Sequence, residues 1–361
     1  ELFPVEEIKA ATNKIFETEG KEVLQYSNSE GYLELRQSIA DWYLEKKGFT
    51  FSVDNILITN GSQQGFDLIA KTVLNEGDDV IIEEPGYLGA IQAFSVYRSV
   101  FNPVPVHEDG MDINSLKHVL KTKSPKLLYS VPNFQNPSGI SYSDHNRQMI
   151  ADILSHTHTV LIEDDPYGDL NFSGIRRQSF KTLLPEQSVL LGSFSKIIAP
   201  SFRVGWIIAP DAIMEKLLVV KQASDLHTSY LVQRIVHQYL QDNDLDEHIN
   251  RIIKTYKSQC LAMIRSIEEH FPPNVSHTKP EGGMFLWATL PEGISSMSLF
   301  ELAMNDKVAF VPGNPFYTNK EQTNTLRLNF SCVDEHTIEE GIRRLGNAMK
   351  KLLTQCTIRE E

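Results

Sequence analysis

The sequence predicts an α/β fold with a mainly parallel sheet between helices and a second, smaller α+β domain. Its 361 residues, 41% of them hydrophobic and 22% charged, have an ordinary globular composition and suffice for a large core and a second domain. From residue 31 to about residue 210, short apolar strand patterns alternate with amphipathic helix patterns. Such alternation is typical of a parallel sheet that helices cover on both faces.

The elements of the larger predicted domain follow one another at short intervals. Helices are predicted at 31–46, 62–74, 90–97 and 144–155, and strands at 56–59, 80–82, 126–131, 159–162, 189–192 and 204–209. In a sheet of this type, ligands bind beyond the carboxyl ends of the strands. Motifs that follow directly after a strand are therefore the first candidates for a functional site.

After Pro210 the pattern changes to longer helices and more widely spaced strands. Helices are predicted at 211–223, 246–270 and 334–353, and strands at 285–288, 308–311 and 326–330. This pattern is typical of an α+β unit. We expect a large domain at residues 24–245. We expect residues 1–23, with a helix from Pro4, to join residues 246–361 in the small domain.

Charge and cysteine content limit the possible partners. A formal net charge of −13 argues against nucleic acid or an anionic membrane as the main partner. Cys260, Cys332 and Cys356 are widely spaced, so neither a disulfide framework nor a zinc cluster is expected. No apolar run is long enough to span a bilayer. We therefore expect a cytoplasmic protein that acts on small molecules and holds no metal.

The most informative motif is the segment 193–200, Ser-Phe-Ser-Lys-Ile-Ile-Ala-Pro. The amine of Lys196 can form a Schiff base with an aldehyde. The hydroxyls of Ser193 and Ser195 can bind a phosphate, and the guanidinium of Arg203 can do so in bidentate fashion. Pyridoxal 5′-phosphate carries both an aldehyde and a phosphate. A Ser-x-Ser-Lys sequence alone is more often a polar turn, so its interpretation depends on the other motifs.

Three further motifs follow predicted strands, and each has a plain structural alternative. In the segment 61–65, Gly-Ser-Gln-Gln-Gly, a helix N-terminus offers free N–H groups to a phosphate, although a serine N-cap explains it as well. Tyr87 can stack on a flat heteroaromatic ring or simply pack at the surface. Asn136 can donate a hydrogen bond to a phenolate oxygen or form an Asx turn before proline.

The acidic segment 163–167, Glu-Asp-Asp-Pro-Tyr, ends another apolar strand pattern. Three acids at a strand end are costly unless a cation lies opposite. A pyridinium nitrogen paired with Asp164 would supply that cation and make the ring an electron sink. Tyr167 is close enough in sequence to reach the 3′ oxygen of the same ring. A surface acidic turn is the alternative.

Arg327 stands inside the apolar strand pattern 326–330. A strand arginine with apolar neighbours needs an anionic partner. A substrate α-carboxylate and a structural salt bridge explain this position equally well.

Together, in this order and at successive strand ends, the motifs resemble those of the fold-type I pyridoxal-phosphate aminotransferases, closest to the 2-aminoadipate and kynurenine aminotransferase branch. The resemblance extends from the segment 1–4, Glu-Leu-Phe-Pro, to the last helix, and includes the segments 24–27, 225–228 and 281–287. It implies the fold-type I architecture, with a mainly parallel seven-stranded sheet in the large domain. It also implies pyridoxal 5′-phosphate as cofactor and a homodimer with shared active sites.

The resemblance implies a role for each residue at the cofactor. Lys196 is the Schiff-base lysine, Asp164 pairs with the ring nitrogen, and Asn136 and Tyr167 bind the 3′ oxygen. Tyr87 stacks on the ring. The residues that would hold the phosphate are Ser62, Gln63, Ser193, Ser195 and Arg203.

The resemblance also implies how the substrate is held. Arg327 binds the α-carboxylate with help from Asn136, and Phe285 lines the substrate pocket. Tyr26 reaches the cofactor and substrate bound by the partner subunit, and the turn 225–228 faces that subunit as well.

The implied activity is a ping-pong transamination from an α-amino acid to a 2-oxo acid, for which we expect 2-oxoglutarate. Lys196 acts as general base and acid. The donor is of the 2-aminoadipate, aromatic, or branched or aliphatic type. The family segment that selects it precedes the part matched here, so the amino acid stays unassigned. A β-lyase or decarboxylase would use the same cofactor, but Arg327 as a carboxylate anchor argues against decarboxylation.

A rival from another class is the effector-binding domain of a GntR/MocR-family transcription regulator. Such regulators carry an N-terminal winged-helix DNA-binding domain, and a sequence that begins at Glu1 rather than Met is compatible with one upstream. A basic upstream segment of one small domain would favour the regulator, and a few tens of residues the enzyme. The segments 225–228 and 283–287 resemble the enzyme branch more closely, so we expect an enzyme.

Overall fold

Two β-sheets organise the chain. This computed structural model describes residues 2–319 and 323–360, and within them the larger sheet has eight strands and the smaller sheet four. Glu1, where the expected resemblance begins, lies outside the described residues. Each sheet has apolar clusters of its own, so the predicted α/β class with a second, smaller sheet is confirmed.

The larger sheet is mainly parallel. Its strands are β1 Ile56–Thr59, β2 Asp79–Glu84, β3 Val100–His107, β4 Gly110–Met111, β5 Leu127–Ser130, β6 Val160–Asp164, β7 Ser188–Ser193 and β8 Gly205–Ile208. They lie in the order β1-β8-β7-β6-β5-β2-β3-β4. All neighbours are parallel except those of β8 and β4, which run antiparallel to their partners. The first seven in this order match the expected sheet, and the two-residue β4 extends its edge.

Helices cover this sheet on both faces, which is why its strands are apolar throughout. Every residue of β1, β5, β7 and β8 is buried. Several of the covering helices begin at a side-chain cap, such as Asp112, Ser143 and Ser229. The helices are α1 Val5–Glu19, α2 Leu33–Lys47, α3 Ser62–Val73, α4 Leu88–Ser95, α5 Ile113–Thr122, α6 Asp144–Leu154, α7 Phe180–Leu183, α8 Asp211–Asp225 and α9 Tyr230–Asp242.

The smaller sheet is antiparallel and packs against long helices. Its strands are β9 Ser276–His277, β10 Phe285–Thr289, β11 Val311–Pro312 and β12 Thr325–Asn329, in the order β11-β12-β10-β9. The helices are α10 Leu245–His270, α11 Ser296–Asn305 and α12 Glu335–Glu360. Apolar residues of β10 and β12 form one cluster with residues of α10, α11 and α12.

The sequence patterns missed or misplaced several elements. β3 was missed because Pro103 and Pro105 interrupt its pattern, and they are tolerated because β3 lies next to the sheet edge. The strand expected at 308–311 is wrong for most of its length, because only Val311 and Pro312 pair with β12. Lys307, just before it, has a left-handed backbone with φ 59°. α5, α7, α9, α11 and the two-residue strands β4 and β9 were missed as well.

The expected domain boundaries stay a prediction, and two helices bear on them. Ala11 of α1 is buried in the cluster of the larger sheet. Helix α10 contributes Ile249 and Ile252 to that cluster, and Met263 and Ile267 to the cluster of the smaller sheet. Helix α10 therefore contacts both sheets through its two halves.

The described part of the chain contains neither a membrane-spanning helix nor a group of metal-binding side chains. None of the helices in it combines the length and the apolarity needed to cross a bilayer. In the same residues, no His, Cys, Asp and Glu side chains are grouped so that they could hold a metal ion. Cys260 and Cys332 are free thiols, and the side chain of Cys356 lies outside the described part.

We predict that Gly192→Ala destabilises the fold. Gly192 of β7 pairs with Trp206 of β8, and an added Cβ would overlap the Trp206 indole. Because the indole is buried, the overlap should lower the free energy of unfolding by about 1–3 kcal/mol. Urea denaturation of the variant and the wild type measures this change.

The matched control is Gly341→Ala in α12, where an added Cβ meets no atom within 4 Å. This variant should raise the free energy of unfolding by up to ~1 kcal/mol, because alanine favours helix more than glycine does. An unchanged or raised value for Gly192→Ala would contradict the packing described for β7 and β8.

Candidate active site

Loops that follow four parallel strands meet at one edge of the larger sheet. They follow β2, β5, β6 and β7, whose carboxyl ends lie side by side. Together with the start of α3 and with β10 and β12, they surround a cavity of about 340 Å³. Its lining residues are Ser62, Gln63, Phe66, Tyr87, Val131, Asn136, Asp164, Pro166, Tyr167, Ser193, Ser195, Lys196, Pro200, Arg203, Phe285 and Arg327.

A second cavity of about the same volume lies between α2, the start of α10 and the loop 168–177. It contains none of the predicted site residues, and its lysines are already paired. Lys47 lies 3.6 Å from Asp165 and 3.4 Å from Asp169, and Lys46 forms an ion pair with Asp246. The cavity at the strand ends is therefore the candidate active site.

Lys196 brings a primary amine into this cavity. It follows β7 and is half-buried. Burial lowers the pKa of Lys196, and the nearby guanidinium groups of Arg203 and Arg327 lower it further. More of the amine is therefore neutral, which is the form that attacks a carbonyl or accepts a proton.

Serine hydroxyls and the Arg203 guanidinium line the cavity together with Lys196. The Ser193 hydroxyl donates to Ser195 Oγ at 2.9 Å and accepts from the Ser195 N–H at 3.1 Å. Ser62 opens α3, and its Oγ is buried without a hydrogen-bond partner among the described residues. A Cβ at Gly61 would lie 2.8 Å from Arg203 Nη2, so glycine lets the helix start approach the guanidinium.

Gln63 and Tyr87 close the cavity on the side of α4. The Gln63 amide donates to the Gly89 carbonyl at 3.2 Å, which ties the start of α3 to the start of α4. Tyr87 immediately precedes α4, and its ring lies edge-on to Phe66 with centroids 6.3 Å apart. Tyr87 is therefore held by α3 while its ring lines the cavity.

Asp164 ends β6 as a buried acid with one free oxygen. Its Oδ2 accepts a hydrogen bond from the Tyr129 hydroxyl at 2.6 Å, and its Oδ1 has no partner among the described residues. Burial raises the pKa of Asp164 to about 7, against the hydrogen bond from Tyr129. Such a carboxylate requires a cation or a proton donor at its free oxygen.

Arg327 joins the smaller sheet to the cavity. Its Nη1 donates to Asn136 Oδ1 at 2.8 Å, and Asn136 Nδ2 donates to the Tyr167 hydroxyl at 3.4 Å. The guanidinium carbon lies 4.3 Å from the ring centre of Phe285 and 5.2 Å from that of Phe316. Its Nε is buried without a hydrogen-bond partner among the described residues. Among the residues that the structure describes, no salt bridge holds Arg327, so its guanidinium can bind an anion.

Tyr26 is the one predicted site residue that does not line the cavity. Its side chain is 83% exposed, and its ring lies edge-on to His227 with centroids 5.8 Å apart. His227 belongs to the turn 225–228, in which Leu226 has a left-handed backbone with φ 67°. Lys221 Nζ donates to Asp225 Oδ2 at 2.8 Å and so fixes the turn. A single copy of the chain thus leaves Tyr26 at the surface.

Comparison with known proteins shows which family has this arrangement. The family described as aminotransferase class I and II matches residues 1–345. The chain belongs to the aminotransferase class I and II family. Class I and II aminotransferases use pyridoxal 5′-phosphate, and this chain is a pyridoxal-phosphate-dependent aminotransferase.

The relatives cover nearly the whole chain. Aromatic-amino-acid aminotransferase 1 of Thermococcus litoralis is 40% identical over 357 residues, which are 97% of this chain and 86% of that protein. The 2-aminoadipate transaminase of Thermus thermophilus is 40% identical over 357 residues, 98% of this chain and 88% of that protein. The crystal structure of Pyrococcus horikoshii kynurenine aminotransferase with PMP has a TM-score of 0.93 at 40% identity, covering 97% of this chain and 88% of that one.

Regulators are also similar, at lower identity. An uncharacterized HTH-type transcriptional regulator of Bacillus subtilis is 27% identical over 356 residues, which are 98% of this chain and 73% of that protein. The match therefore leaves about a quarter of the regulator uncovered.

The residues of this aminotransferase cavity fit its cofactor. The free buried oxygen of Asp164 suits a protonated ring nitrogen. The unpartnered Ser62 hydroxyl and the Arg203 guanidinium suit a phosphate. The lowered pKa of Lys196 suits reaction with an aldehyde. Each group of pyridoxal phosphate thus has a complementary group in the cavity.

Sequence reasoning missed several residues that shape the site. Phe66, Val131, Pro166 and Pro200 line the cavity, and Phe316 packs on Arg327. Nothing in their local patterns distinguishes these residues from ordinary core or turn residues.

Glu83 was missed although it is an acid inside an apolar strand. Its carboxylate accepts hydrogen bonds from Ser130 Oγ at 3.0 Å, the Val131 N–H at 3.0 Å, Tyr142 at 2.7 Å and Gln135 at 2.8 Å. Burial raises the pKa of Glu83, and these four donors oppose the rise. Glu83 thereby fixes the loop after β5 that carries Asn136. The sequence offered one signal for Glu83, because an acid inside an apolar strand pattern is expected to be buried and to need hydrogen-bond donors.

We predict that Asp164→Asn stabilises the apoprotein at high pH only. The folded-state pKa of Asp164, about 7, lies above its ordinary value of 3.8, so above pH 7 the folded state contains an unfavourable charge. Asparagine removes that charge and keeps an acceptor for Tyr129. The free energy of unfolding at pH 8 should rise by on the order of 2–4 kcal/mol. This gain should fade as the pH falls from 7 to 4, because the carboxylate of Asp164 becomes protonated first in the folded and then in the unfolded protein.

The control is Asp165→Asn, which makes the same charge change one residue away. It removes the acid that lies 3.6 Å from Lys47 but also the repulsion of that acid on its acidic neighbours, so the free energy of unfolding at pH 8 should change less than in Asp164→Asn. Urea denaturation of the apoproteins at pH 8, 6 and 4 measures both effects. A gain for Asp164→Asn that is absent at pH 8 or independent of pH would contradict the prediction.

Proposed function

We propose that this aminotransferase moves the amino group of an aromatic or 2-aminoadipate-type amino acid to 2-oxoglutarate by a ping-pong mechanism. One observation carries the proposal: Lys196, Asp164 and Arg327 line a single cavity. They provide a base, a partner for the ring nitrogen and an anchor for a carboxylate. The donor class is supported by two relatives at 40% identity, named for aromatic amino acids and for 2-aminoadipate. A branched or aliphatic donor is the remaining alternative.

The cavity residues would hold pyridoxal phosphate at each of its groups. Asp164 would bind the ring nitrogen, Asn136 and Tyr167 the 3′ oxygen, and Tyr87 would stack on the ring. When bound, the cofactor supplies an aldehyde for the amino group and a ring that withdraws electrons from the substrate Cα. The residues that would bind the phosphate are Ser62, Gln63, Ser193, Ser195 and Arg203.

Lys196 would move the proton. Its pKa is lowered by burial and by two neighbouring guanidinium groups, so a larger fraction of the amine is neutral and can act as a base. Nζ takes the proton from the substrate Cα and delivers it again later in the same half-reaction. The same cationic surroundings favour the return of that proton, because they disfavour the charged amine.

Arg327 would orient the substrate. Its guanidinium is fixed by Asn136 and by the rings of Phe285 and Phe316, so it offers its remaining N–H groups in a defined direction. A bound α-carboxylate is thereby retained, which argues against decarboxylation. Release of carbon dioxide from amino-acid substrates would contradict this role.

Two copies of the chain would share their active sites in the cytoplasm. Tyr26 is 83% exposed and lies outside the cavity of its own subunit, beside His227. A polar aromatic residue in such a position suits a contact with a second subunit. We propose that Tyr26 and the turn 225–228 contact the active site of the partner subunit. The cytoplasmic location is supported by free, widely spaced cysteines.

A transcription regulator is the second candidate. The 27% identical regulator covers nearly all of this chain, so the fold alone serves either function. An enzyme converts an amino acid to its oxo acid, whereas an effector-binding domain binds it unchanged.

We predict that Lys196→Ala lowers the rate of transamination by about 10³-fold or more, because it removes both the nucleophile and the base. The measurement is oxo acid formed per site with 2-oxoglutarate present. Lys216→Ala, which alters an exposed lysine of α8, should keep the wild-type rate. Substantial transamination by Lys196→Ala would overturn the assignment. Cofactor binding without oxo acid formation in the wild type would favour the regulator.

We predict that hybrid dimers restore activity if Tyr26 acts in the partner's site. Tyr26→Ala subunits keep Lys196, and Lys196→Ala subunits keep Tyr26, so a hybrid dimer has one site with both residues. In a random mixture half of the dimers are hybrid, which gives about one quarter of the wild-type number of sites. The rate of the co-expressed mixture is compared with that of the separate variants. A mixture no more active than the mean of the two variants would show that Tyr26 acts in its own subunit.

A further inference from the structure

The strand register places Tyr129 beside Asp164. Tyr129 of β5 pairs with Ile162 of β6 in a parallel ladder. Asp164 is two residues further along β6, so it is on the same face of the sheet as Ile162 and diagonal to Tyr129. Tyr129 is fully buried, and its hydroxyl donates to Asp164 Oδ2 at 2.6 Å.

The Tyr129 hydroxyl is held in place by packing. Its ring lies edge-on to Phe66 and to Phe94, with centroids 5.8 Å away in both cases. A tyrosine fixed in this way cannot follow the carboxylate if Asp164 rotates. The hydrogen bond therefore selects one orientation of the Asp164 carboxylate.

In that orientation the two oxygens of Asp164 differ. Oδ2 is engaged by Tyr129, whereas Oδ1 is buried without a partner among the described residues. Asp164 also lines the cavity. Oδ1 is thus the oxygen left for a ligand.

We propose that Tyr129 is a positioning residue for the aminotransferase reaction, which holds Asp164 so that Oδ1 binds the protonated ring nitrogen of the cofactor. The inference rests on the proposed role of Asp164. A hydrogen bond from a neutral donor to a carboxylate is stronger when the carboxylate is charged. Tyr129 therefore favours the ionised acid that the ring nitrogen requires.

The surroundings of Asp164 make this hydrogen bond necessary. The titratable groups that face Asp164 are Tyr87, Tyr129, Tyr167, Glu83 and Asp165. Burial raises the pKa of Asp164, the acids Asp165 and Glu83 raise it further, and the Tyr129 hydrogen bond and, less strongly, the nearby Ser62 hydroxyl lower it. Without the tyrosine hydroxyl, more of Asp164 is neutral and cannot pair with a protonated nitrogen.

The test uses Tyr129→Phe and two compounds. Phenylalanine keeps the packing against Phe66 and Phe94 and removes only the hydroxyl. The compounds are pyridoxal 5′-phosphate and 1-deazapyridoxal 5′-phosphate, in which a C–H group replaces the ring nitrogen. Their dissociation constants with the full-length apoprotein are measured by titration. We expect Tyr129→Phe to raise the dissociation constant of pyridoxal phosphate about tenfold and to leave that of the deaza compound unchanged. Only pyridoxal phosphate has a ring nitrogen that would contact Asp164.

Tyr142→Phe is the matched control. Tyr142 is also fully buried and donates to a buried carboxylate, Glu83, at 2.7 Å, but it does not contact Asp164. Any loss of binding in this variant should be equal for the two compounds. In the Asp164→Asn background, Tyr129→Phe should change the dissociation constant of pyridoxal phosphate less than twofold, because no charge is left to support.

Each outcome has one meaning. A selective loss for pyridoxal phosphate supports the inference. An equal loss for both compounds, or no loss for either, overturns it, because a purely structural tyrosine does not distinguish a nitrogen from a C–H group. Failure of the wild-type protein to bind pyridoxal phosphate would instead contradict the proposed function.

Discussion

A buried carboxylate with one unsatisfied oxygen sets the requirements of the whole site. Asp164 lies at the end of an apolar strand, where its charge is stable only beside a proton donor or a cation. Tyr129 satisfies one oxygen, and the other is left for a ligand. The folded protein thus contains a buried negative charge that has no counter-charge in the described part of the chain, and a protonated ring nitrogen would neutralise it. An unfavourable buried charge of this kind is typical of a site that binds a ligand, and it does not stabilise the apoprotein.

The opposite charges of the cavity come from different parts of the chain. Lys196 and Arg203 follow β7 of the larger sheet, whereas Arg327 comes from β12 of the smaller one. The hydrogen bond from Arg327 to Asn136 connects the two sheets at the cavity wall. Two guanidinium groups, one amine and one acid around about 340 Å³ suit a ligand that has a phosphate, a carboxylate and a basic ring nitrogen. Cofactor and substrate together have these groups.

The sequence predicted the parts of the structure whose signals are local. The apolar strand at 56–59 was placed with its true bounds, and the motifs together with the family resemblance pointed to twelve residues that line the cavity. Contributions that depend on a neighbouring strand were missed, since the hydrogen bond from Tyr129 to Asp164 follows from the register of β5 and β6. The role proposed for Tyr26 requires a second copy of the chain. β3 was hidden by its prolines, which only a place next to the sheet edge permits.

The central claim is that this cavity converts an amino acid rather than merely binding it. The most direct test is the absorption spectrum of the purified protein with pyridoxal phosphate, before and after the addition of one amino acid without any oxo acid. We expect the visible band of the bound cofactor to be replaced by the near-ultraviolet band of pyridoxamine phosphate, with one oxo acid released per site. A visible band that shifts with every amino acid but never converts would show binding without turnover and indicate an effector-binding domain.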